Sequence, residues 1–90
     1  MKEDDDLITL SLSCPTSFIE LPLTALASLL RVHQIEPGNM ADLATETQRI
    51  ASEINAEADC LEIEYLVNRS DICIKLHGPN GVIQLRESRI

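Results

Sequence analysis

Fifteen acidic residues against seven basic ones leave this 90-residue chain with a formal net charge of -8, while 44% of it is apolar. Such a length holds one domain rather than two, and the charge repels phosphate backbones and anionic lipid surfaces. Nucleic-acid and membrane partners are excluded first, since only Phe18 and Tyr65 offer rings for base stacking, while a basic protein surface remains open.

The acidic run from Glu3 to Asp6 reads as a solvated end. Residues 1–6 are therefore expected to be disordered, with a single domain over 7–90. The same run is the opposite of a secretory leader, which begins basic and continues apolar. No window approaches the ~18 consecutive apolar residues of a membrane span. The cytoplasm is the expected compartment.

Residues 7–13 alternate with period two, which predicts a half-buried strand with Ile8, Leu10 and Leu12 inward. Cys14 and Pro15 end it. A helix follows over about 17–33, with Ser17 and Glu20 at capping-box spacing. Pro22 is comfortable only in a first turn, so the helix either kinks there or begins near Leu21. Leu21, Ala25, Leu29 and Val32 make one apolar stripe, expected against the sheet. Leu23, Leu26 and Leu30 make a second, expected on the far side, where water would otherwise meet it.

Pro37 and Gly38 break the chain, and Asn39 is a plausible N-cap for a second helix over about 40–58. Its stripe of Met40, Leu43, Thr47, Ile50, Ile54 and Ala58 is narrow. Its polar side sets Glu46 against Arg49 and Arg49 against Glu53 at ion-pair spacing. Three strands complete the pattern. Leu61, Ile63, Tyr65 and Val67 alternate with polar residues; Ile72, Ile74 and Leu76 do the same. Asn80-Gly81 signals a hairpin into a last strand over 82–86. The order β-α-α-β-β-β predicts an α+β two-layer sandwich, a mostly antiparallel sheet with two helices on one face.

Cys14, Cys60 and Cys73 are odd in number and lack C-x-x-C spacing. Pairing residues 60–67 with 72–76 as a hairpin sets Val67 opposite Ile72 and Cys73 opposite Leu66, away from Cys60. Reduced thiols serving as small hydrophobes are expected. His33 and His77 have no metal-ligand spacing around them, and Ser11, Ser13 and Ser17 lack a nucleophile elbow. Glu62 and Glu64 share a strand face, which a solvated sheet explains more simply than an acid-base pair. Gly78-Pro79-Asn80-Gly81 lacks the run of free N–H groups a phosphate cradle needs. No catalytic residue, cofactor or metal is expected.

A strand, then Pro15-Thr16-Ser17-Phe18, a long helix, a Pro/Gly break, a second helix and a hairpin together resemble the anti-sigma-factor serine kinases. These belong to the histidine-kinase-type (Bergerat) ATPase superfamily. The best local match is Leu43-Ala44-Thr45-Glu46-Thr47-Gln48-Arg49-Ile50-Ala51-Ser52. In that family the second helix carries a Glu and, four residues later, an Asn that helps hold Mg²⁺–ATP; a D-x-G-x-G box receives the adenine. Carried over, the resemblance keeps Glu46, sets Ile50 at the Asn position, and offers Leu76-His77-Gly78-Pro79-Asn80-Gly81 without an Asp. It implies a shortened relative that has kept the scaffold and lost the nucleotide site.

The expected function is accordingly a non-catalytic regulatory or adaptor module that binds a protein partner, with an anti-sigma-factor-like role. The alternatives are an ATP-binding serine kinase that uses Glu46 as base, and a structural subunit of a larger complex. A bare second stripe on helix 1 further predicts a homodimer packed through Leu23, Leu26 and Leu30.

Overall fold

Strand β1 (Asp6–Ser13) leads through helices α1 (Leu21–Val32) and α2 (Ala41–Glu57) to strands β2 (Cys60–Val67), β3 (Asp71–Gly78) and β4 (Gly81–Ser88). The computed structural model describes residues 6–89, apart from the side chains of Pro37 and Asn39. All four strands pair antiparallel in the order β1-β2-β3-β4, and both helices lie on one face. The expected α+β architecture and its element order are what the chain adopts.

Register follows the period-two pattern. Leu10 pairs with Ile63 and Leu12 with Leu61; Val67 faces Ile72, and Cys73 faces Leu66. The inward residues Leu61, Ile63, Tyr65, Val67, Ile72, Ile74 and Leu76 are fully buried. Ile8 points the same way but stays 43% exposed, because β1 is an edge strand that the helices only partly cover. The three cysteines are free thiols: Cys14 half-buried, Cys60 exposed, Cys73 buried.

Helix α2 behaves as its stripe predicts. Met40, Leu43, Ile50 and Ile54 are buried, and Thr47 joins them because its hydroxyl donates to the Leu43 carbonyl at 2.7 Å; Ala51, outside the expected stripe, is buried too, and Ala58 is half-buried at the C-cap. The flanking ion pairs form, Arg49 to Glu46 at 2.7 Å and to Glu53 at 2.9 Å. The helix is entered through a 3-10 turn at Pro37–Met40, and Met40 holds the N-cap position without a side-chain cap. The Asn39 side chain, expected to cap, lies outside the described residues.

Helix α1 differs from its expectation in start and in facing. It begins at Leu21 with Pro22 in its first turn, and neither Ser17 nor Glu20 makes a capping bond. Thr16 is occupied elsewhere: its hydroxyl accepts from the Phe18 N–H, and its own N–H donates to Asn55 Oδ1 of α2. The core face is Pro22, Leu26, Leu29 and Leu30, whereas Val32 is 71% exposed and Leu21 38%. Two long-range bonds set this phase. Tyr65 Oη donates to the Pro22 carbonyl at 2.9 Å inside the core, and Asn55 holds the entering segment. Leu26 and Leu30, expected to be bare, are therefore core residues.

Asp6 is likewise not a disordered end. It begins β1, and its Oδ2 lies 2.7 Å from Nε2 of His33. The rest of the acidic run lies outside the described residues.

Candidate functional site

The two ends of the sheet are built differently. At the β2–β3 turn, Asn68 Oδ1 accepts from the N–H groups of Ser70 and Asp71 at 2.8 and 2.9 Å. Arg89 crosses this end, donating to the Asn68 carbonyl at 2.6 Å and to the His33 carbonyl at 3.4 Å. With the Asp6–His33 contact, these bonds tie the end of α1 to the starts and ends of three strands. This end is closed.

At the β3–β4 turn the layers part into two neighbouring hollows. One, of about 360 Å³, is lined by the segment from Glu57 to Cys60 together with Glu62, His77, Gly78 and Pro79. The other, about 160 Å³, lies between Ile50, Glu53, Ile54 and Glu57 of α2 and the segment from Gly78 to Ile83. Gly78 permits this approach: a Cβ there would sit 3.2 Å from Ile54 Cγ1. The turn itself differs from the Asn-Gly expectation, since the left-handed φ of +128° falls on Gly81 and not on Asn80.

Ile50 and the turn are thus brought together, the juxtaposition the family resemblance assigns to a nucleotide. Two features there are unfavourable to a polyphosphate. Ile50 offers no oxygen to a hard cation, and the exposed carboxylates of Glu53 and Glu57 repel phosphate. Glu46 does not line the hollow. It is bonded to Arg49, whose hydrogen bond and charge hold its carboxyl below the ordinary range, which makes it a weaker base.

The other candidates are also placed. Glu62 pairs with His77 across the ladder, and His77 Nε2 lies 3.4 Å from Glu64 Oε1. These groups sit on the sheet face away from the helices. Burial, then the Cys60 thiol and the Asp59 carboxylate nearby, push the Cys14 thiol up, away from a reactive thiolate. Among the described residues no group of three or more His, Cys, Asp or Glu is placed to hold a metal ion. Leu23 is half-buried beside a shallow hollow against Ala44, Thr45, Gln48 and Arg49 of α2. It does not continue into a bare stripe, because Leu26 and Leu30 point into the core.

Charge divides along the same line as geometry. Residues 14–59 carry seven carboxylates and two arginines; residues 60–89 carry four acidic and four basic groups. The helix layer that overhangs the open end is therefore strongly negative, and the strands beneath it are balanced. Sequence reasoning singled out Ile50 and the 78–81 turn and set Glu53 on the polar side of α2, but did not single out Glu57 and Ile83 or bring the group together. Their grouping depends on which flank of α2 meets β4, and period alone does not give that.

Among the described residues no helix is long and apolar enough to cross a membrane. Comparison of the chain with protein-family models, with curated proteins and with solved structures finds no match.

Proposed function

We propose that the chain is a non-catalytic regulatory or adaptor module that works by binding another protein, in the manner of a shortened anti-sigma-factor relative. One observation carries this reading. The hollow where the resemblance would seat a nucleotide is lined by Ile50, Ile54, Ile83 and two carboxylates, and it opens directly onto an edge strand. Apolar walls with an acidic rim suit a polypeptide with basic side chains and disfavour a polyphosphate. The low-lying Glu46 carboxyl adds to the case against a kinase base.

Two measurements test the reading. Calorimetric titration with Mg²⁺–ATP should give no saturable heat up to millimolar nucleotide; saturation at micromolar concentration would restore the kinase alternative. Immobilised chain should retain a protein from an extract of its own cell, and the Glu53→Lys, Glu57→Lys double variant should lose it. If neither form retains a protein, the binding reading fails.

A further inference from the structure

We infer that the outer edge of β4 is a β-augmentation site for an extended segment of the partner, one whose helix-facing positions combine apolar with lysine or arginine side chains. This rests on the protein-binding reading and specifies its surface and ligand class.

The backbone comes first. Arg89 N–H donates to the Ser70 carbonyl at 2.9 Å, one position beyond the Asp71–Ser88 pair. In an antiparallel ladder, bonded and non-bonded pairs alternate. Ile83, Leu85 and Glu87 therefore exchange hydrogen bonds with β3, and Val82, Gln84 and Arg86 turn their N–H and C=O groups away from it. Among the described residues no strand lies on that side.

Edge strands usually carry devices that discourage pairing: proline, lysine, a bulge or an inward charge. β4 has neither proline nor lysine, and its eight residues pair one-to-one with β3, without a bulge. Its Arg86 is drawn toward Asp71 at 3.4 Å. Its one inward charge, Glu87 opposite Ile72, lies at the end of the strand away from the hollow, so the stretch from Val82 to Leu85 carries none of these devices.

Side-chain surroundings then select the occupant. Ile83 is 44% exposed on the helix side and opens onto the hollow with Ile50 and Ile54. Glu53 and Glu57 stand on the rim above it. A strand laid beside β4 would meet apolar surface and two carboxylates on its helix-facing side, which is where apolar and basic side chains are favourable. Main-chain bonds with pockets for alternate side chains are the known economy of strand addition.

Panning a random-peptide display library against the full chain should enrich segments of this pattern. With such a peptide bound, hydrogen exchange of the Gln84 and Arg86 amides should slow by roughly tenfold or more. Gln84→Pro removes an outward donor while keeping the ladder to β3, since proline is tolerated where an edge N–H faces solvent, and it should abolish binding. If that variant does not fold, Glu53→Lys with Glu57→Lys should weaken the same peptide roughly tenfold, because both changes lie on exposed helix surface. Peptides that protect another surface, or that ignore both variants, overturn the inference and leave the protein-binding reading standing. An empty panning also overturns it; the broader reading falls only if the extract capture is empty as well.

Discussion

The closed and open ends of the sheet are made from the same strands, yet they spend their polar groups in opposite ways. At the β2–β3 turn Arg89, Asn68, His33 and Asp6 bond one another. At the β3–β4 turn the carboxylates of Glu53 and Glu57 stand exposed around an apolar hollow, Glu53 held only by an exposed pair with Arg49 on its own helix. Groups that satisfy one another contribute stability, and groups left facing solvent remain free for a ligand. The difference therefore predicts that substitutions at one end cost folding and at the other cost binding.

The largest effect is expected where α1 meets the sheet. Leu26→Glu places an unpaired carboxylate at a position only 1% exposed. The cost should reach about 4 kcal/mol or more, enough to unfold a domain of this size. Circular dichroism should show a loss of secondary structure; a folded variant would mean that Leu26 faces solvent or a removable contact.

Tyr65→Phe comes next. It removes the buried bond to the Pro22 carbonyl and should cost about 1 kcal/mol in urea unfolding. Burial also pushes the Tyr65 phenol well above its ordinary pKa of about 10, so its neutral form is favoured in the fold. Above that pH the native state holds a proton the unfolded chain has lost, and stability falls as pH rises. Since Tyr65 is the only tyrosine, tyrosinate absorbance should appear together with unfolding. Titration near pH 10 in a still-folded chain would contradict its burial.

At the closed end Arg89→Ala should cost about 1 kcal/mol by releasing the Asn68 and His33 carbonyls. At the open end Glu53→Lys with Glu57→Lys should leave the unfolding midpoint nearly unchanged, because both side chains are exposed and the Arg49–Glu53 pair that is lost is a solvent-exposed one. Comparable destabilisation at the two ends would erase the distinction between them.

Periodicity carried much of this architecture. The stripe of α2 and the alternation of β2 and β3 are single-valued patterns, so each gave its buried face correctly. α1 is different, since most of its residues are apolar and the pattern has no unique phase. Its orientation depends on Tyr65 meeting Pro22 and on Asn55 holding Thr16, contacts spanning 43 and 39 residues. Local sequence holds no trace of either. The open end was half legible: Ile50 and the 78–81 turn stood out against the family pattern, whereas the acidic rim and the outward backbone of Val82, Gln84 and Arg86 emerge only once the strands are in register.

The most direct test of the central claim compares the two ends in the cell that makes the protein. A photo-crosslinking residue replacing Val82, at the open edge, should capture one dominant protein, joined through a segment bearing lysine or arginine. The same residue replacing Ser70, at the closed end, should capture none. Capture from Ser70 with none from Val82, or the same products from both, would contradict the account.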